Sequence, residues 1–275
     1  MASVIYNIPA SLREAYRGHQ RIIRCHNPRE LLEGFLEQDL KDLTGIQLLL
    51  PTDAVDELRD WGYAIPVDLV LLDPQRDFPS LYQHSELLAS HPVRVSVPVV
   101  PGFSKAVKLA VSLNFAVKLE VTQPDPILIG EMATVLDFYL RHSNVAQPID
   151  YFHSLLLAFY QNECVTLWDI QEEDPALFRY VTDQGEETLS ARFAALASSG
   201  DIDSLVQGLK RGLLAEGSEC HSCEFLAHCG GYFKWPRREY RCDGVKTLFR
   251  TLRDAAGELH ADLANLPAAA EDSAL

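Results

Sequence analysis

No apolar run approaches the 18 or so residues that a membrane-crossing helix requires, so no membrane contact is expected. The N-terminal Met-Ala-Ser-Val-Ile-Tyr has neither a basic segment nor a long apolar stretch. A secretory signal is therefore not expected, and a cytoplasmic location is. Basic residues are few: 24 Lys and Arg face 39 Asp and Glu, a net charge of −15. That balance disfavours nucleic-acid binding, which needs a basic face for phosphate. A glycine-rich phosphate loop, a Walker loop, a His-x-x-x-His pair and a Ser/His/Asp arrangement are all missing. Low-complexity sequence is confined to the C-terminal end, where residues 261–275 read as a frayed tail. What remains is a chain of 275 residues, 47% hydrophobic, with room for one large α/β domain and a small appendage.

Cysteine is concentrated. Four of the six fall between Cys220 and Cys242, at Cys220, Cys223, Cys229 and Cys242, spaced C-x2-C-x5-C-x12-C. Thiols gathered this closely bind a metal or an iron–sulfur cluster, or cross-link as disulfides. The C-x2-C step lets one tight turn aim two sulfurs at one centre. Zinc sites more often show two such knuckles, and the second is missing, so the spacing favours an iron–sulfur cluster with zinc as the alternative. A reducing compartment argues against disulfides. Gly230 and Gly231 allow close backbone approach to an inorganic core. Residues 234–250 carry Lys234, Arg237, Arg238, Arg241, Lys246 and Arg250 against Glu239 and Asp243. Such cations would stabilise an anionic cluster and raise its potential, or form an ordinary solvated face.

Upstream, β-branched runs alternate with helical patterns. Strands are expected at Val4–Ile8, Gly45–Leu50, Val67–Leu72, Val93–Val100 and Ala116–Val121. Helices are expected between them at Pro28–Leu43, Asp53–Trp61, Pro79–Ser90 and Ser104–Leu113. Repeated βα units mean a parallel sheet, and without a phosphate loop a barrel or part-barrel is favoured. Further on, helices are expected over 129–142 and 148–162, and strands at Cys164–Ile170 and Phe178–Thr182. Residues 187–216 and Val245–His260 read as helical.

Together the part-barrel, the short strand pair with a glycine turn, and Cys-x2-Cys-x5-Cys-Gly-Gly with a last Cys before a Lys-x2-Phe helix resemble the radical SAM enzymes that carry a SPASM domain. The C-terminal likeness covers about residues 165–252. It implies a degenerate radical-SAM-like (β/α) part-barrel over 1–170 and a SPASM-like iron–sulfur module over 171–260. It implies one [4Fe-4S] auxiliary cluster on Cys220, Cys223, Cys229 and Cys242. The other auxiliary cluster would need a ligand where Phe233 stands and cysteines after Gly185, and there are none. After the first strand the family's C-x3-C-x2-C is absent, Cys25 being the only cysteine there. The Gly-Gly-Glu turn expected after the second strand is also absent, where Leu50-Pro51-Thr52 stands. S-adenosylmethionine is therefore not expected as a cofactor, nor independent radical SAM activity.

Two strands alternate polar with apolar residues: Arg94 and Ser96 on one, Lys118 and Glu120 on the next. They can all face one space, an open interior for a ligand or partner, or a paired structural charge cluster. On this reading Lys118 or Arg94 pairs with Glu120, or the space is wet. Asp73 sits at a strand's C-terminal end, as a functional group or a helix cap. Cys25 and Cys164 read as structural, Cys164 as core. His221 and His228 read as surface residues beside the cysteines, and Trp168-Asp169 as the end of a strand. The expected role is a non-catalytic partner of a radical SAM enzyme, docking a peptide or passing electrons, in peptide modification or enzyme maturation. A stand-alone enzyme using the open barrel without S-adenosylmethionine, and a zinc-braced binding module, are the alternatives.

Overall fold

The computed structural model describes residues 3–33, 35–52, 56–61, 64–196 and 202–265. Its frame is an eight-stranded sheet in the order β6-β5-β4-β3-β2-β1-β7-β8. The strands are β1 (Ile5–Pro9), β2 (Gln20–Cys25), β3 (Leu43–Leu50), β4 (Val67–Leu71), β5 (Val93–Pro98), β6 (Ala116–Glu120), β7 (Phe178–Val181) and β8 (Glu187–Thr188). Neighbours from β6 through to β7 run parallel, and only β8 is antiparallel, folding back on β7 around Gly185 at φ +85°. Six parallel strands lie side by side in chain order, as successive βα units produce when each returns on the same face. The protein is thus α/β with a mostly parallel sheet, an arrangement compatible with a partial barrel.

The period-2 side-chain pattern divides each strand between two environments. On β5, Val93, Val95 and Val97 are buried together with Phe103, Ala106 and Val107 of the Phe103–Ser112 helix. Full burial of side chains such as Val95 and Leu119 contributes roughly 1.5–3 kcal/mol each. Arg94 and Ser96, between them, turn to the other face of the sheet. The Pro126–Arg141 and Asp150–Gln161 helices both pack against the long Asp243–Ala264 helix, and Asp150–Gln161 also meets β6. None of the described helices is long and apolar enough to cross a membrane.

Several local expectations change. Gln20–Cys25 is a strand that the sequence reading missed, because its two arginines disguise it. Arg21 is fully buried, donating to the Tyr16 carbonyl at 2.9 Å and the Asp39 carbonyl at 3.1 Å. The second strand therefore ends at Cys25-His26-Asn27, which has no Gly-Gly-Glu either, and the strand ending at Leu50 is the third. Cys164–Ile170 is not a strand. Thr166 and Asp169 form a capping box that starts a Leu167–Ile170 helix, the Thr166 N–H donating to Asp169 Oδ2 at 3.1 Å. A cap of this kind overrides a short apolar run. Pro28–Leu43 breaks into a helix at Pro28–Leu32 and a 3-10 turn at Glu37–Asp42. Pro79–Ser90 is likewise a chain of short turns. Among its described residues, 187–216 is helical at Ala191–Leu196, Ile202–Ser204 and Leu205–Ala215, and it opens as strand at Glu187–Thr188. Residues 53–55 of the expected Asp53–Trp61 helix, 197–201 of that stretch and 266–275 of the tail lie outside the described residues.

Candidate functional site

The four clustered cysteines come from three short elements. Cys220 and Cys223 belong to the turn begun by Ser218, Cys229 ends the Leu226–Cys229 helix, and Cys242 caps the Asp243–Ala264 helix. All four line one small cavity walled by Phe225, Phe233, Val245 and Phe249. The gap between them is about 20 Å³. Metal–thiolate bonds of about 2.3 Å bring metal atoms well inside van der Waals contact, so this gap understates what a bound group would occupy. All six cysteines are free thiols. Among the described residues no three of His, Cys, Asp and Glu are drawn together tightly enough to hold a single ion. The four thiols surround a space rather than meet at a point.

The backbone at Cys229 suits an anionic sulfur. Gly230 and Gly231 are both left-handed, at φ +59° and +81°, and they turn successive N–H groups of Gly231, Tyr232 and Phe233 onto the Cys229 sulfur. Consecutive amides aimed inward form an anion-binding nest. Burial nevertheless pushes the Cys229 thiol up to about 11 and the Cys242 thiol up to about 12. Thiols held protonated are poor nucleophiles and poor ligands alike, so either chemistry would first require their protons to leave. Lys234 and Lys246 also line the cavity, and each donates to Glu219 at 2.5 Å. Burial works to raise Glu219, but the two lysines hold its carboxyl down at about 2.

The glycines have a second duty. A Cβ on Gly230 would lie 2.9 Å from Trp168 Cδ1, and one on Gly231 would lie 2.7 Å from Leu213 Cδ1. The close approach is therefore to Trp168 and Leu213. Trp168 is buried, and its indole N–H donates to the Gly230 carbonyl at 3.1 Å, so the expected strand end instead ties the Leu167–Ile170 helix to the cysteine-bearing stretch. Gly230→Ala combines a positive φ with this clash and is expected to destabilise the protein by about 1–3 kcal/mol, measured by urea unfolding. An unchanged midpoint would mean that Trp168 yields freely.

Phe233 is fully buried and packs on Tyr240 and Phe249. His221 is exposed, while His228 is half-buried with its ring 4.7 Å from that of Phe159. Cys164 is exposed, not core, and Cys25 is buried at the end of β2.

The inner face of the sheet is polar across six strands. Asn7 donates to Gln47 at 2.7 Å, and Gln47 to Asp68 at 3.2 Å. Asp68 accepts from Ser96 at 2.7 Å and from Arg94 at 3.0 Å. Arg24 donates to Asn7 Oδ1 at 3.1 Å. Glu172 closes the network from outside the sheet, accepting from Arg94 at 2.9 Å and from Lys118 at 2.5 Å. Burial works to raise Glu172, but Lys118 and Arg94 together hold it down at about 2. Glu172 adopts φ +57°, a left-handed conformation that costs a non-glycine residue about 1–2 kcal/mol. Its neighbour Gln171 runs alongside β6, accepting from Val121 N–H and donating to the Leu119 carbonyl, both at 2.9 Å.

Arg94, Ser96, Lys118 and Glu120 thus share one interior, as the alternation predicts. The expected pairing of Lys118 or Arg94 with Glu120 does not occur, because Glu172 and Asp68 take both cations. Asp73 is elsewhere: exposed, it caps a short helix by accepting from the Gln75 and Arg76 amides at 3.1 and 3.2 Å. Asp68 and Glu172 escaped the sequence reading. A lone acid inside the apolar Val67–Leu71 run was a signal for the first, and Glu172 gave none beyond the polar Gln171-Glu172-Glu173.

Above this network, at the C-terminal ends of the strands, lies a cavity of about 570 Å³. Gln47, Lys118 and Glu120 line it from the sheet, and Ser190, Arg192, Tyr232 and Arg237 from the cysteine-bearing part. That part is fastened to the mouth. Gln123 donates to the carbonyls of Phe233 and Arg237 at 2.8 Å each, and Tyr232 Oη to the Val121 carbonyl at 2.8 Å. Arg192 lies 3.9 Å over the Tyr232 ring and pairs with Glu173 at 2.8 Å. A second cavity of about 330 Å³ opens at the strands' N-terminal ends, where Arg94 and Glu172 form part of the wall. No family model matches the chain, and no curated protein matches it in sequence.

Proposed function

We propose that the chain is a degenerate radical SAM/SPASM protein that holds one [4Fe-4S] cluster on Cys220, Cys223, Cys229 and Cys242. In this reading it acts as a non-catalytic partner of a radical SAM enzyme in peptide modification or enzyme maturation. The observation that supports it most is the meeting of four thiols from three elements around one apolar-walled cavity, with an amide nest on one sulfur and two lysines beside the rest. The nest and the lysines offset the negative charge that four thiolates bring. The phenylalanines keep water away. The cluster, when bound, supplies one-electron transfer or braces the module.

The barrel cavity is the docking site of this proposal. Its lining mixes apolar Val70, Val121 and Pro236 with the polar groups already named, so it can take both kinds of contact. Cytoplasmic location belongs to the same reading.

The working test has two arms. Reduced, reconstituted protein given S-adenosylmethionine should yield no 5′-deoxyadenosine above a no-protein control, since neither the three-cysteine motif nor Gly-Gly-Glu follows β1 or β2. Tagged protein purified anaerobically from its native cell should bring down a protein that carries Cys-x3-Cys-x2-Cys. Cleavage by the purified chain would reject the non-catalytic role, and zinc in place of iron would favour the binding-module alternative.

A further inference from the structure

Acid and base are matched almost everywhere around the barrel interior. Asp68 has Arg94 at 3.0 Å, Glu172 has Arg94 and Lys118, Glu173 has Arg192 at 2.8 Å, and Asp150 has Arg94 at 3.7 Å. Glu120 is the exception. Its side chain lines the 570 Å³ cavity with no hydrogen bond and no ion pair among the described residues. Lys118, two residues earlier on the same strand, acts on it only at longer range and is committed to Glu172. Arg237, which also lines the cavity, directs its Nε to Gln123 Oε1 at 3.0 Å. A partly buried carboxylate without a partner is costly. Burial accordingly raises its proton affinity, with Asp68, Glu173 and Glu172 adding to the effect and Lys118 opposing it.

We propose that Glu120 receives a cationic group of the molecule that docks in this cavity, the ammonium or guanidinium of a basic peptide side chain. The cavity is wide enough for such a side chain and the adjoining backbone, and Gln47, Gln123 and Ser190 present neutral hydrogen-bonding groups beside it. A cation seated against Glu120 would give that carboxylate the partner it lacks among the described residues. The inference rests on reading the cavity as a docking site and does not depend on the cluster.

The test is calorimetric titration with N-acetyl-lysinamide and N-acetyl-argininamide against N-acetyl-norleucinamide, which keeps lysine's four side-chain carbons without its ammonium. The cationic probes are expected to bind at least tenfold more tightly than the neutral one. Their affinity should rise with pH as Glu120 loses its proton. Glu120→Gln should abolish the preference, and Glu120→Asp, which keeps the charge but withdraws it, should retain part of it. Equal binding of all three probes overturns the cation assignment while leaving docking intact. No binding by any of them removes the docking reading as well. A preference that survives in Glu120→Gln removes Glu120 as the anchor.

Discussion

Anaerobic reconstitution is expected to load about four iron and four sulfide per chain, giving a brown protein. Replacing any one of Cys220, Cys223, Cys229 or Cys242 by Ala should remove most of that content. All four line one cavity, so each loss leaves a cluster three-coordinated and opens an apolar wall to water. Cys25→Ser and Cys164→Ser should keep the full load, because Cys25 ends β2 and Cys164 is exposed ahead of the Leu167–Ile170 helix. Loading should also depend on pH. Burial holds Cys229 at about 11 and Cys242 at about 12 when no metal is bound, so ligation must release protons and becomes harder as pH falls. Tight zinc with no iron after reconstitution would sink the cluster assignment, and full iron in all four variants would place the metal elsewhere.

The largest stability effect should come from Glu172→Ala. Glu172 is the shared counter-charge of Arg94 and Lys118, and the Lys118 side chain is only 6% exposed. Removing one partner from a buried ion pair costs about 3–5 kcal/mol, since the cations stay in the interior uncompensated. Arg94 keeps Asp68, so most of the loss falls on Lys118. The pH profile follows from the carboxyl's depression from 4.5 to about 2. A carboxylate held below its unfolded value stabilises the folded chain in full above about pH 4.5, and the contribution fades as pH falls toward 2. At 1.36 kcal/mol per unit that is about 3 kcal/mol. Urea unfolding at pH 7 should therefore separate wild type from Glu172→Ala by several kcal/mol, and the gap should close below pH 3. Glu172→Gly should lose about 1 kcal/mol less than the alanine variant, because glycine accepts φ +57° without strain. A gap under 1 kcal/mol at pH 7 would show that water, not Glu172, solvates Lys118.

The parallel α/β frame was legible where strands are simple. Val93–Pro98 and Ala116–Glu120 announce themselves by alternation, and their polar members do face one interior. The same criterion failed at Gln20–Cys25, where arginines occupy positions that a pattern reader assigns to solvent. Arg21 is buried because the Tyr16 and Asp39 carbonyls satisfy it, and no local pattern encodes those partners. Glu172 was invisible for a related reason. It lies 78 residues from Arg94 and 54 from Lys118, so its role exists only once the chain between β6 and β7 folds back against the sheet. The gathering of the four cysteines was legible from spacing. Their apolar walls were not, since Phe225, Phe233 and Phe249 read equally well as ordinary core.

The side chain of Gln171 imitates a neighbouring strand, and this bears on how other chains can approach. An open sheet normally leaves a row of unpaired amides and carbonyls at each margin, where a foreign strand can add. Here the β6 margin is occupied: Gln171 takes Val121 N–H and the Leu119 carbonyl, and Val117 N–H donates to the Pro148 carbonyl at 2.9 Å. At the far margin β8 is only two residues long. Among the described residues neither border offers a template of useful length for strand addition, so a chain that pairs by adding a strand finds no ready place on this sheet. Gln171→Ala would unmask two backbone groups on β6. Self-association through that border, rather than lost cluster binding, is the failure it should bring.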